Sequence, residues 1–264
     1  MMLSTHQQFE QCLEENDSGH FQARYKDLTL SSVYQPIFCR NENIIGVEAL
    51  VRLKKDDGSQ IRPDLFFHSS NVSMEDKVSV ERLSRVIHIR NFSKSNYRKL
   101  NLFLNVLPSV GEYYALMDIN ASLLAKRLDD LDIDRSQMVM ELVELSANNE
   151  ANLKQAMDGL ADNGFRIAVD DFGTEASNRE RVESIRPSIL KLDRSLLLQY
   201  IDGITEPLLS GIKLAQSIGA QIVIEGIETS QQYAAMRQLD IDMFQGYFLA
   251  MPKALSPSPS VITA

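Results

Sequence analysis

Apolar runs of strand length alternate with longer stretches of helical spacing through most of this chain. Residues 31–38 and 44–51 read as extended runs. The connector at 39–43 is too short for a parallel crossover, so these two strands must pair antiparallel. The stretch 74–93 has Val78, Val80, Leu83, Val86, Ile87 and Ile89 at broadly helical spacing. Beyond it, strands are predicted at 101–106, 137–143, 165–170, 188–191, 221–225 and 242–248. Helices are predicted between them at 113–128, 149–162, 178–185, 205–218 and 230–239, with Gly219 as the C-terminal cap of the fourth.

That alternation implies a mostly parallel sheet of eight strands. Eight such units in about 220 residues predict an α/β fold, a TIM-like (β/α)8 barrel with its first strand antiparallel. An open doubly wound sheet fits less well, because no glycine-rich phosphate loop follows the first strand. Residues 5–27 are polar with scattered apolar positions (Phe9, Cys12, Leu13, Phe21, Tyr25) and are expected to form a helical lead-in. The expected organisation is a lead-in over 1–29, a barrel over 30–253 and a flexible Ser/Pro-rich tail over 254–264.

Composition narrows the function classes. The 264 residues are 44% hydrophobic and 24% charged, ordinary for a globular domain with a full core. A net charge of −9 argues against binding DNA or RNA polymers or an anionic membrane, which calls for a basic surface. Cys12 and Cys39 lack metal-site spacing and fit a reducing compartment, so a cytoplasmic location is expected. The first ten residues lack an apolar signal core, and no apolar run reaches membrane-spanning length.

The candidate chemistry lies at the strand ends. Each strand carries a polar group in or just past its apolar run: Glu48, Asn105, Glu141, Asp170 with Asp171, Lys191, Glu225 and Gln245. Catalytic groups of a (β/α)8 barrel come from the C-terminal ends of several strands. Adjacent acids such as Asp170 and Asp171 repel unless a cation lies between them. Oxygen ligands without histidine suit Mg²⁺ or Mn²⁺ rather than zinc. A two-metal site would clamp a phosphate and activate a water, with Lys191 orienting that water and offsetting negative charge. Taken singly, Glu48 or Glu141 could be an interior partner of Lys191, Asn105 a loop closer, and the two aspartates a solvated loop pair. Seven such accidents at seven strand ends are harder to accept than one shared site.

The motifs also resemble a known family. Glu48-Ala49-Leu50-Val51-Arg52 after Tyr34-Gln35-Pro36-Ile37 is similar to the signature of EAL domains, the cyclic di-GMP phosphodiesterases. The likeness continues through Leu104-Asn105, Glu141-Leu142-Val143-Glu144, Asp170-Asp171-Phe172-Gly173-Thr174, Lys191-Leu192-Asp193-Arg194-Ser195, Glu225-Gly226-Ile227-Glu228-Thr229 and Gln245-Gly246-Tyr247. The resemblance implies hydrolysis of cyclic di-GMP to linear pGpG with Mg²⁺ or Mn²⁺, and inhibition by Ca²⁺. It implies that Glu48, Asn105, Glu141 and Asp170 hold one metal, and that Asp170, Asp171 and Glu225 serve the second. Lys191, Glu225 and Gln245 would act on the attacking water, Arg52 would meet a phosphate, and Gln35 would touch a guanine. Glu144 would anchor the loop after Asp171, and Glu228 would support the site from behind.

One departure bears on activity. The family's loop continues from Gly-Thr into Gly, an aromatic residue and two serines, whereas here Glu175-Ala176-Ser177-Asn178 follow. In the family that loop links pairing of two copies to metal binding, so a homodimer through it is expected, with a regulatory protein partner as a further expectation. The alternative reading is a weak or inactive EAL domain acting as a cyclic di-GMP receptor or docking module. A barrel phosphoesterase with another nucleotide substrate is the third.

Overall fold

The computed structural model describes residues 3, 5–106, 123–142, 150–173 and 179–256. The chain opens with helix α1 (His6–Cys12) and a small hairpin, β1 (Leu13–Glu15) and β2 (Phe21–Tyr25). A long antiparallel hairpin follows, β3 (Leu28–Cys39) and β4 (Ile44–Lys55), then β5 (Gln60–Ile61), α2 (Pro63–His68) and α3 (Met74–Ser93). Next come β6 (Asn101–Val106), α4 (Leu123–Asp130), β7 (Met138–Leu142), α5 (Glu150–Asp162), β8 (Arg166–Phe172) and α6 (Arg179–Ile185). The last units are β9 (Ile189–Leu192), α7 (Arg194–Ile201), α8 (Glu206–Ile218), β10 (Gln221–Ile224), α9 (Ser230–Met236) and β11 (Met243–Phe244).

Eight of these strands close into a barrel in the order β3-β4-β6-β7-β8-β9-β10-β11, and β11 returns to pair with β3. Neighbours from β4 round to β11 are parallel, and β3 runs against both of its own. The reversed first strand is the one the short 39–43 connector requires. Gly219 caps α8 in the left-handed conformation at φ 75°.

Two expectations change. Among the described residues of the lead-in only α1 is helical. Phe21, Ala23 and Tyr25 alternate with polar residues, the two-residue period of a strand, and β2 pairs with β3. The last strand ends at Phe244 rather than 248, because the chain turns to clasp the loop after β10. There Ile227 donates its N–H to the Gln245 carbonyl at 3.1 Å, and Phe248 donates to the Ile227 carbonyl at 3.0 Å. Gly246 permits this approach: a Cβ there would lie 2.1 Å from the Ile227 oxygen. The predicted helix at 113–128 is described from Leu123 onward, and residues 257–264 of the tail lie outside the described residues. Leu255 is buried, and its carbonyl lies 2.6 Å from the His20 Nε2, so the tail's first residues are pinned.

Among the described residues, three apolar clusters hold the molecule. The largest lies between barrel and outer helices. A second joins the lead-in to α2 and α3 through Phe9, Tyr25, Leu30, Leu53, Phe66 and Leu83. The third is a floor inside the barrel, one side chain per strand: Ile37, Phe103, Val139, Ala168, Ile189, Val223 and Met243. β4 contributes Gly46 at this level, and a Cβ there would meet the Phe103 ring at 2.9 Å. The floor therefore closes only because one position has no side chain. Gly46→Val should cost about 1–3 kcal/mol through overpacking. Urea unfolding checks this, and an unchanged midpoint would mean that the floor has slack.

Candidate functional site

Strand geometry builds the site directly on that floor. Successive inward residues of a strand are two apart. Two positions beyond Gly46, Phe103, Val139, Ala168, Ile189, Val223 and Met243 come Glu48, Asn105, Glu141, Asp170, Lys191, Glu225 and Gln245. Each parallel strand therefore carries one polar group at the layer above the floor, facing the C-terminal mouth.

Lys191 is the hub of this layer. It is 1% exposed, with its Nζ 2.8 Å from Glu141 Oε1, 2.8 Å from Glu225 Oε1, 2.9 Å from Asp170 Oδ1 and 3.7 Å from Glu48 Oε2. The Gln245 amide donates to Glu48 Oε2 at 2.6 Å, and the Asn105 amide reaches Glu48 Oε1 at 3.5 Å. Glu141 Oε1 is held by the Lys191 ammonium, while its Oε2 is buried with no hydrogen-bond partner among the described residues. Gln245 Oε1 is likewise buried without a donor.

The aspartates share the site through a backbone irregularity. Consecutive strand residues normally face opposite sides, which would send Asp171 outward. The β8–β9 register shifts between Val169 and Phe172, and Asp171 takes the left-handed conformation at φ 51°. Its N–H donates to Asp170 Oδ1 at 3.0 Å. Asp170, Asp171 and Glu225 consequently bring carboxylate oxygens within 4.8 Å of one another.

The electrostatics point one way. Burial, with Glu48 and Asp170 nearby, pushes the Glu141 carboxyl well above its ordinary range, despite Lys191. Burial does the same at Glu225, again with Asp170 and Glu48 adding to it. Burial works against the Lys191 ammonium, but the surrounding carboxylates outweigh it and hold its pKa well above the usual lysine value. When ionised, five carboxylates against one ammonium leave four negative charges in excess, the charge of two divalent cations. A buried Glu141 Oε2 without a partner, an orphan amide oxygen and an all-oxygen donor set fit hard cations of the Mg²⁺ or Mn²⁺ type.

A cavity of about 340 Å³ opens beside the cluster, bordered by Glu48, Asn105, Asp170, Asp171 and Arg52. Residues of α2 and one stripe of α3 also line it. Gln35 is buried opposite Glu48 and donates to the Ala250 carbonyl at 3.3 Å, so it faces the C-terminal segment. Glu228 lies on the rim, paired with Arg194 at 2.5 Å. Glu144 and the 174–178 loop lie outside the described residues.

Comparison with known proteins bears on the family and the fold. The EAL domain family matches residues 21–252. The probable cyclic di-GMP phosphodiesterase PdeD of Escherichia coli K12 is 27% identical, with 85% of this chain and 42% of PdeD aligned. The cyclic di-GMP phosphodiesterase RocR of Pseudomonas aeruginosa is 26% identical over 89% of this chain and 58% of its own length. In fold, the chain is similar to the Bacillus subtilis YkuI protein, solved with substrate cyclic di-GMP and calcium. The TM-score is 0.74 at 24% identity, over 88% of this chain and 58% of that one. The chain spans only 28–42% of the length of the first curated relatives it matches.

Removing the hub tests the charge argument. Lys191→Met leaves its carboxylates without their ammonium and should destabilise the metal-free protein by about 3–5 kcal/mol. Added Mn²⁺ should restore much of that loss. A variant as stable as the wild type in EDTA would contradict it.

Proposed function

This chain belongs to the EAL domain family, and on that premise we propose that it is a phosphodiesterase that hydrolyses cyclic di-GMP to linear pGpG. The observation that carries the proposal is the convergence of Glu48, Glu141, Asp170 and Glu225 on the buried Lys191, beside a cavity that Arg52 also borders. Glu48, Asn105, Glu141 and Asp170 would hold one divalent cation, and Asp170, Asp171 and Glu225 a second. Such ions, when bound, polarise a phosphodiester and lower the pKa of an attacking water.

The chain's own groups do the rest. Lys191 keeps its proton, donates to the attacking water and offsets charge that develops on the phosphate. Glu225, with its proton affinity raised by burial, accepts the proton that the water loses. Gln245 orients Glu48 and leaves its amide oxygen facing the same space. Arg52 binds a phosphate oxygen through a charge-assisted bond, and Gln35 helps to seat a guanine. Glu144 would anchor the loop after Asp171, and Glu228 would support the site from behind. The apolar floor closes the reacting layer from below, which strengthens every charge interaction in it.

Two copies would pair through the loop after Asp171, with a regulatory protein as a further expected partner. Two free cysteines suit a cytoplasmic location, and no helix among the described residues is long and apolar enough to cross a membrane.

Incubation with cyclic di-GMP and Mg²⁺ or Mn²⁺ should yield pGpG, and Glu48→Ala should abolish the product. Lys191→Ala should lower kcat by about 100-fold or more while changing ligand affinity much less, as expected of a group that acts in the transition state. Ca²⁺ should support binding without turnover. Tight binding in Ca²⁺ with no pGpG in Mg²⁺ or Mn²⁺ would replace the enzyme with a receptor.

A further inference from the structure

A second cavity, of about 290 Å³, lies where the lead-in meets the outer helices. His6 of α1, Phe21 of β2, Arg90 and Lys94 of α3, and Lys126 and Arg127 of α4 line it. It shares no lining residue with the cavity beside the acid layer. On α3, Arg90 comes two residues after His88, about 200° round the helix, so the two cavities touch opposite faces of that helix.

Four cations gather here in a chain whose net charge is −9. Among the lining residues the one acid is Asp130, which is exposed. Glu10 forms a hydrogen-bonded ion pair with Arg90, and Glu15 lies 3.1 Å from the Lys94 Nζ. Arg127 is served less well. Its side chain is 10% exposed, yet among the described residues its ion-pair partner is Glu10 alone, at 3.8 Å. One carboxylate therefore answers two guanidiniums. Burial, and then the neighbouring Arg90, push the Arg127 guanidinium down to about 10, despite Glu10 and Asp130. It stays charged at neutral pH, stripped of much of its water and without a hydrogen bond among the described residues to replace it. The Phe21 ring steadies the other cations, with the Lys94 Nζ 4.3 Å and the Arg90 Cζ 5.1 Å from its centroid. A ring face attracts a cation without cancelling its charge.

We propose that this cavity is a phosphate-binding site, taking inorganic phosphate or the phosphomonoester group of a small molecule, with Arg127 and Arg90 as the anchoring pair. A guanidinium presents paired N–H donors that match two oxygens of a phosphoryl group. A phosphoryl dianion supplies the charge that one shared carboxylate does not. Lys94 and Lys126, both exposed, flank the pair and add attraction for an entering anion. The volume suits a small molecule rather than a polymer. Because the lining comes from α1, β2, α3 and α4, a bound phosphate would tie the lead-in to the outer helices, and binding should raise stability.

Titration of the metal-free protein in EDTA tests this, because the acid layer without cations repels phosphate. Calorimetry with inorganic phosphate and with AMP gives affinities, and thermal unfolding gives the change in Tm. Wild type should bind one equivalent saturably, with a rise in Tm. Equal affinities would identify free phosphate as the ligand, and tighter AMP a phosphomonoester; either supports the site. Arg127→Met should weaken binding by about 30-fold or more. Its Tm without phosphate should be unchanged or higher, because a poorly paired buried charge is gone. Lys126→Ala, a surface change, should weaken binding by about 2- to 5-fold and keeps the test open if Arg127→Met does not fold. Cyclic di-GMP binding in Ca²⁺ should be unchanged in both variants. No saturable binding by wild type, or undiminished affinity in either folded variant, would overturn the inference and leave the phosphodiesterase reading intact. A wild type without phosphate binding whose Arg127→Met variant is less stable would make Arg127 a structural ion-pair residue instead.

Discussion

The Lys191 ammonium lies within 2.9 Å of three carboxylates and 3.7 Å of a fourth, in a barrel interior closed below by apolar side chains. One cation cannot balance that many acids in a medium of low polarity, so the arrangement is electrically incomplete by itself. Strand geometry enforces it. The floor and the polar layer are consecutive inward positions of the same strands, so closing the barrel over Phe103 and Ile189 necessarily brings Asn105 and Lys191 to one level. Burial then raises the proton affinity of Glu141 and Glu225, and Glu141 Oε2 has no hydrogen-bond partner among the described residues. On the proposed function, divalent cations would supply the charge that one ammonium does not.

Much of this was legible in the sequence because it follows from period and connector length. The antiparallel first pair came from a connector too short to cross over, and the polar layer came from one chemistry-bearing residue at each strand end. Asp171 was legible as a candidate, but not how it reaches the site. Alternation alone would have turned it outward, and only the bulge with its positive φ brings it beside Asp170. The last strand was overread because 242–248 has strand composition throughout. The turn at Gly246 responds to the backbone of Ile227, a contact across the fold that no local pattern reveals.

The lead-in and α3 show a different limit. Scattered apolar positions in 5–27 suggested a helix, yet Phe21, Ala23 and Tyr25 had the alternation of a strand. The resulting hairpin extends the β3 edge and, with Phe9, Leu30 and Leu83, makes a core separate from the barrel floor. That core fixes α2 and α3 against β4, and these helices line the cavity. In α3 the apolar residues announced a helix, while its polar stripe at 81, 84, 85 and 88 stood in the same sequence at the same spacing. It was overlooked because apolar periodicity is the usual guide to a buried face, and here a buried face is polar.

The central claim is that two divalent cations complete the charge of the polar layer. Anomalous diffraction at the manganese edge, from crystals grown with Mn²⁺ and cyclic di-GMP, tests it most directly. The account predicts two peaks. One lies among Asp170, Asp171 and Glu225, and the other among Glu48, Asn105, Glu141 and Asp170. A mouth without manganese, or manganese bound only away from these oxygens, would contradict it.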